Sequence, residues 1–555
     1  MSQVPVGSRP DFRALATDLF ALKGLFMQSF GIMGPSIALI AIACLPRKVA
    51  NRHPHLLSRI CVAGVLLSFA TALFFGLAGP NVLESSPEVT EFSATTAPMN
   101  LVMLSMISLI GFVVAVFSRN YLAGDPHQGN FYRWLCVTLG SVLGMATSGS
   151  LGLFALLWCM ASIGSHQLLR HFQTDREARR LARFQIGLSL IADGCLAIAV
   201  TLIHSVVGST RFDEIASFAE ITSSSLPQAL NGAAALILVA VVLRTVQFPF
   251  HHWLQSTLSA PTPVSALLHA GIVNAGGFLL ISLSALMVRQ PVAMAWLTCI
   301  SVVTVLVGAG IMTTQNSVKA SLVYSTVAQM GFMLFQVSVG AFAGAFVHLI
   351  AHSLYKAYSF LSSGTVTLQS SAVAIGPISR SNSGSSHSRN EGWLQFAVTA
   401  FAIGIGLGGL AAATLYLNLA PTFFGEWCLH AVAALALTSF TVRCCLLQPS
   451  RRWQSAAMSV LITWILGGIL LGSYTIAHTV VSCPEFAITS SATFAALGLL
   501  CSFALMVLMP FISAILPNER FVPTALREGL YQACLHRFYV DAVFERFIPR
   551  TVEQR

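Results

Sequence analysis

Apolar runs of bilayer length recur along the chain, and they constrain its fold more than any other feature. A membrane-crossing helix needs about 20 predominantly apolar residues. About fifteen stretches approach that length, near 27–45, 60–78, 99–117, 132–148, 150–169, 184–204, 230–250, 263–288, 294–312, 323–339, 342–364, 393–415, 428–447, 458–476 and 491–516. A helix satisfies its own backbone hydrogen bonds inside hydrocarbon, so the expected fold is an all-α polytopic membrane protein. The composition agrees: 55% of the 555 residues are hydrophobic and 9% are charged, against about 25% charged in a soluble domain. Four units are expected: an N-terminal segment over 1–26, a transmembrane domain over 27–516, a flexible Ser- and Gly-rich loop over 365–392 within it, and an amphipathic tail over 517–555. The first 26 residues carry Asp11 and Asp18 and no run resembling a signal-peptide core, so no cleavage is expected.

Basic residues orient the spans. Arg47, Lys48, Arg52 and Arg59 follow the first span, Arg119 and Arg133 the third, and Arg170, Arg176, Arg179, Arg180 and Arg183 the fifth. Lys319, Arg380, Arg389, Arg451, Arg452 and the arginines from Arg520 onward fall on the same side. The alternate loops hold mostly acids, with Glu84, Glu88 and Glu91, then Asp213, Glu214 and Glu220, then Glu485. The positive-inside rule places the N-terminus outside and the tail in the cytoplasm. A net charge of +10 then reflects topology and anionic lipid. No basic, aromatic-interleaved patch suggests a nucleic-acid partner.

Few charges remain within the spans: Asp193, Arg244, Lys356 and, near a helix end, Arg443. Arg443 is placed to snorkel to the surface. Lys356 belongs to a ladder with His348 and His352 at a spacing of four and four, which puts all three along one helix face. A Lys near the bilayer centre costs roughly 2.5–3.5 kcal/mol, so an intramembrane ionisable group marks a functional site by default. Imidazoles pass protons near neutral pH, which makes the ladder a candidate relay. Asp193 needs a partner or a proton. The bland alternative for Asp193, Arg244 and Lys356 is a set of structural ion pairs.

A second cluster surrounds Arg244, in Arg244-Thr-Val-Gln-Phe-Pro-Phe-His-His-Trp and Ala260-Pro-Thr-Pro-Val-Ser-Ala-Leu-Leu-His269. Pro249 breaks the helix just after the charge, and Pro261 and Pro263 suit the start of the next. Broken helices at membrane depth survive where they are buried in protein or line water, as at transporter ion sites. His269, about two turns into that helix, is either a relay member or a satisfied packing residue. Asn274, Gly276 and Gly277 suggest close helix contact.

Other motifs are missing. The twelve cysteines include no C-x-x-C pair, so neither zinc nor iron–sulfur ligation is readable. No phosphate-binding lysine loop or dinucleotide fingerprint occurs. No catalytic group, metal site or cofactor is therefore expected in this chain.

These residues resemble a family. The stretch Arg244 to Leu280, Thr314-Gln-Asn-Ser-Val-Lys319, Tyr324-Ser-Thr, Gln329-Met-Gly-Phe and His348-x3-His352-x3-Lys356 look like the antiporter-like membrane subunits of respiratory complex I and of Mrp-type cation/proton antiporters. The match is good over roughly 100–370 and looser elsewhere. The resemblance implies a proton-conducting subunit with two inverted repeats and broken helices. By position, Arg244 takes the place of a family lysine. Lys319, His348, His352 and Lys356 fit a central hydrophilic axis, His269 fits the motif histidine, and Asp193 matches a family aspartate.

The departures narrow the branch. Family members usually carry a glutamate just after a Trp in the fifth span, whereas Trp158 is followed by Cys159 and Met160. Arginine at 244 stays protonated and cannot shuttle a proton. The late lysine motif is represented at best by Phe423-Phe-Gly-Glu426-Trp. In complex I the segment His536-Arg-Phe-Tyr-Val-Asp precedes further spans and a lateral helix, which the residues following here do not supply. With Phe-Pro-Phe-His-His-Trp and Gly-Ile-Val-Asn-Ala-Gly-Gly-Phe, the pattern looks most like the membrane subunits of DAB inorganic-carbon accumulation complexes. That resemblance implies a bacterial inner-membrane location. It also implies a large cytoplasmic partner, a zinc protein similar to a β-carbonic anhydrase, which hydrates CO2 while this subunit supplies the cation gradient, H+ or Na+. Two alternatives stay open: a cation/proton antiporter or complex I-type subunit, and a conduction-dead scaffold.

Overall fold

The computed structural model of the chain describes residues 30–78, 94–172, 176–222, 225–370 and 524–540, with a few residues between 472 and 501. The N-terminal segment 1–26, the stretch 371–392, Glu426 and Arg443 lie outside the described residues. The last four expected spans lie almost wholly outside them.

Helices follow one another from the first described residue: α1 (Phe30–Cys44), α2 (Arg47–Arg52), α3 (Pro54–Ala78), α4 (Pro98–Tyr121), α5 (Gln128–Thr147), α6 (Leu151–Leu169), α7 (Arg176–Val207), α8 (Phe212–Ile221) and α9 (Gln228–Arg244). A 3-10 turn over Phe250–Gln255 and the short α10 (Ser256–Ser259) come next. Then α11 (Thr262–Leu267), a π-helical turn over Leu268–Ile272 and α12 (Ala275–Ser282) form one interrupted span. α13 (Ser284–Val288), α14 (Pro291–Thr314), α15 (Val318–Ser338), α16 (Phe342–Ser370) and α17 (Thr524–Leu535) complete the described part. No β-strand occurs among the described residues, only isolated bridges between Ala94 and Ser148 and between Ser150 and Arg211.

The expected spans that lie in the described residues overlap helices, and among the described residues seven helices are long and apolar enough to cross a membrane by length and composition. Local signals set their ends. Pro98 and Pro291 open α4 and α14, where a missing N–H costs nothing. The Ser150 hydroxyl accepts from the Leu153 amide at 3.2 Å, and the Ser317 hydroxyl from Ala320 at 3.1 Å, N-caps that separate α5 from α6 and α14 from α15. α16 continues to Ser370, six residues into the stretch read as a loop.

Burial grades across the bundle. The span Thr262–Ser282 is wholly buried, whereas Pro54–Ala78 is 22% buried and lies at the periphery. The interrupted span is therefore an inner element, clasped by α9, α15 and α16. Gly276 permits this: a Cβ there would stand 2.5 Å from Thr245 Cγ2 and 3.1 Å from Val241 Cγ1. The same economy brings α14 onto α15, where a Cβ at Gly308 would meet the Ala328 amide nitrogen at 2.7 Å. Small residues that let backbones close in this way are the usual means of joining helices in lipid.

Candidate functional site

The break after Arg244 is sharper than a proline alone requires. α9 ends at Arg244, and Val246 takes a left-handed backbone, φ 53, although it is β-branched and fully buried. Such outliers persist only where their surroundings over-determine them, and they gather at functional sites. The break leaves Arg244 on the last turn of α9, where unpaired carbonyls favour a cation.

Arg244 is 6% exposed and has three partners. Its guanidinium donates to the Ser162 hydroxyl of α6, lies 3.9 Å from Asp193 of α7, and sits 5.0 Å over the Trp158 ring. Ser162 lies 3.0 Å from one Asp193 carboxylate oxygen. The lone intramembrane acid and the fixed cation expected from the sequence thus meet, bridged by a hydroxyl. Cys159, which follows Trp158 where an acid was expected, lies beside Asp193. The carboxylate reaches this place from the neighbouring helix.

The second cluster centres on Lys356 and His269, both fully buried. Lys356 Nζ donates to the Ser325 hydroxyl and, at 3.2 Å, to the Leu322 carbonyl. Thr326 donates to that same carbonyl at 3.1 Å, and its oxygen lies 3.0 Å from His269 Nδ1. His269 Nε2 is 3.2 Å from the Thr257 hydroxyl, which donates to the Leu254 carbonyl at 2.6 Å. With both threonine hydrogens turned to carbonyls, both oxygens offer lone pairs to the imidazole. Rotating one hydroxyl turns it into a donor, so the pair accommodates His269 with one proton or two. The ring stacks on Phe360 at 4.2 Å. His269 stands on the π-helical turn, a distortion common at functional sites.

The rest of the ladder continues along α16. His352 is 3% exposed, and its ring lies 6.2 Å from that of His348. His348 Nδ1 meets Gln336 Oε1 at 2.9 Å. Asn274 donates to Ser353 at 2.7 Å, tying the interrupted span to the helix that carries the ladder. Lys319 stands at the opposite end of the cluster, donating to the carbonyls of Leu258 and Ala260 at 2.8 and 3.0 Å, so it caps the end of α10. Outside the spans, Asp125 pairs with His171 at 2.8 Å. Burial opposes its charge, but the His127 amide and the His171 imidazole outweigh that and hold the carboxyl below its usual range.

All seven residues singled out from the sequence therefore sit in these two groups, Asp193 with Arg244 and Lys319, His269, His348, His352 with Lys356. The hydroxyls that join them, Ser162, Thr257, Ser325 and Thr326, and the amide of Gln336 carry no such signal in the sequence. Ser325 and Thr326 lie inside a quoted motif, but their roles depend on helices far away in sequence. Among the described residues no three of His, Cys, Asp and Glu converge as metal ligands would.

A family model described as "NADH:quinone oxidoreductase/Mrp antiporter, TM" matches residues 148–440, more than half of the chain. The chain belongs to this antiporter family. The model for the N-terminus of complex I chain 5 matches residues 89–132. Among curated relatives, the probable inorganic carbon transporter subunit DabB2 of Halothiobacillus neapolitanus is 42% identical over 48% of this chain and 49% of its own length. The probable inorganic carbon transporter subunit DabB of Hydrogenovibrio crunogenus is 34% identical over 68% of each chain. The match thus spans about half the length of the first relative and about two thirds of the second. In fold, the chain resembles a chain of the Mrp complex from Dietzia sp., with a TM-score of 0.57 at 20% identity over 96% of this chain and 60% of that one. It is a multi-pass antiporter-like membrane subunit.

Proposed function

We propose that this chain is the cation-conducting membrane subunit of an energy-coupled inorganic-carbon pump. The observation that carries the reading is the hydroxyl-linked group of Lys356, Ser325, Thr326, His269 and Thr257 at the centre of the described bundle. A buried amine and a two-sided imidazole joined by rotatable hydroxyls suit stepwise proton transfer, with Lys319 at one end and His352 and His348 at the other. Arg244 and Asp193 act as a fixed charge pair that sets the potential felt by the titrating groups. In this reading the chain crosses a bacterial inner membrane about fifteen times with inverted repeats, its N-terminus outside and its tail in the cytoplasm.

The relatives named as inorganic carbon transporter subunits give the reading its substrate. CO2 hydration releases a proton, so accumulating bicarbonate against a gradient needs an energy input. One charge crossing 100 mV supplies about 2.3 kcal/mol, roughly a fiftyfold bias. Hydration itself would occur in a large cytoplasmic zinc protein similar to a carbonic anhydrase, bound to this subunit.

Uptake of labelled inorganic carbon, in cells that depend on this complex, tests the coupling. Dissipating the proton and sodium gradients together should abolish accumulation. Uptake that survives full dissipation of both overturns the proposal. Sodium/proton exchange by the chain in vesicles, with no effect of the chain on carbon uptake, would favour a plain antiporter.

A further inference from the structure

The 3-10 turn after the broken helix carries a polar group outside the two clusters. Gln255 Nε2 lies 3.0 Å from Tyr324 Oη and 3.1 Å from His252 Nδ1. Its carbonyl oxygen accepts from the guanidinium of Arg537, 282 positions away in sequence. Arg537 Cζ also sits 5.8 Å over the Tyr324 ring. The arginine arrives just after α17, which packs on α14. Cys534, 2% exposed, rests there against Gly310, its Sγ 3.0 Å from where a Cβ would stand. Arg537, Phe538 and Tyr539 follow with φ near 56, 55 and 56. Three successive non-glycine residues in a left-handed backbone are disfavoured, so the docked contacts have to hold the turn in place.

The chemistry of these groups fixes their orientation. A guanidinium has only donors, so Gln255 must turn its oxygen to Arg537 and its NH2 group to Tyr324 and His252. An NH2 group only donates, so His252 Nδ1 must offer a lone pair. A proton on that nitrogen would set N–H against N–H. His252 is 6% exposed, and its ring lies 5.9 Å from Phe184 of α7, the helix of Asp193. Tyr324 adjoins Ser325 and Thr326, which touch Lys356 and His269. His252 therefore stands between the helices that carry the two clusters.

We propose that Arg537 is a positioning residue for the conduction path. Docked, it locks the Gln255 amide and keeps a proton off His252 Nδ1. Withdrawn, it lets the amide turn over, so that the carbonyl oxygen accepts from Tyr324 O–H and from a His252 Nδ1–H, the ring then carrying its one proton on Nδ1 instead of Nε2. The C-terminal segment thus sets which ring nitrogen of an inner histidine carries the proton. This rests on the proton-path reading given above.

The test uses the full chain, labelled with 15N-histidine, in nanodiscs and in vesicles under an imposed pH gradient. The imidazole signals of His252 are those lost in His252→Asn. In the unaltered chain Nδ1 should be unprotonated and Nε2 protonated. Arg537→Ala should populate the Nδ1–H form and raise proton flux several-fold, whereas Arg537→Lys, still only a donor, should keep both near their original values. Gln255→Met should also release the Nδ1 constraint with Arg537 intact, which covers misfolding of the arginine variant. Unchanged His252 signals in both Arg537→Ala and Gln255→Met overturn this inference and leave the proton path standing. A changed tautomer without increased flux, in a chain that conducts, also overturns it. Absence of Lys356-dependent flux in every variant overturns the underlying reading instead.

Discussion

Lys356 is held by the Ser325 hydroxyl and the Leu322 carbonyl. That hydroxyl can both accept and donate a proton, and this suits the amine to relay work. Lys356→Ala should reduce carbon-dependent growth by roughly a hundredfold or more, the scale expected when a proton-transfer group is removed. Membrane abundance should stay unchanged, since replacing a buried charge by an apolar group relieves a desolvation cost. Near-normal growth at a normal protein level would remove Lys356 from the path. Arg244 and Asp193 give a graded series. Arg244→Lys keeps the charge but loses the fork that spans Ser162 and Asp193, so partial activity is expected, and Arg244→Ala should retain little. Asp193→Asn keeps the shape and should cost about 1.5–3 kcal/mol, the worth of a hydrogen bond to a charged group, while activity falls further than stability. Activity equal to the unaltered chain would leave Asp193 a packing role.

At the scale of elements, much of the interrupted span was legible. Pro249, Pro261 and Pro263 mark the break and the restart, because proline acts through its own ring and its missing N–H. The left-handed Val246 and the π-helical turn under His269 were not legible, since a β-branched residue and an ordinary Leu-His-Ala-Gly-Ile run carry no local signal for either. The pairing of Asp193 with Arg244 was readable as a need but not as a contact; Ser162, 82 positions from Arg244, had no signal at all. The adjacent glycines separate by what they face. At Gly276 a new Cβ would press on Thr245 Cγ2 and Val241, side chains fixed by β-branching. At Gly277 it would meet the Cε of Met333 at 2.4 Å, the mobile end of a flexible chain. Gly276→Ala should therefore cost about 1–3 kcal/mol, as overpacking usually does, and should displace the turn that carries Arg244. Gly277→Ala should be close to neutral. Thermal unfolding in detergent, read beside growth, separates the two, and equal effects would show that the span does not lean on α9 as described.

At the scale of the whole molecule, the question is where the chemistry of carbon occurs. His269 has both ring nitrogens against threonine hydroxyls, and His348 spends Nδ1 on Gln336. Hydroxyls around the one and an amide beside the other are poor company for a hydrated zinc ion, which takes three protein ligands and a water in catalytic sites. The amine of Lys356 would repel the cation. This interior suits a proton that is passed on, and bicarbonate chemistry needs a metal-bound hydroxide at neutral pH. The proposed division of labour follows from that contrast. The purified chain should bind no stoichiometric zinc and hydrate no CO2. Co-expression with a large soluble zinc protein of the carbonic-anhydrase kind should yield a stable membrane complex that carries the metal in the soluble part. Elemental analysis of the chain alone against the complex reads the outcome directly: zinc in the former would place the active site in this subunit, and the two clusters would then have to be read as support for a metal centre.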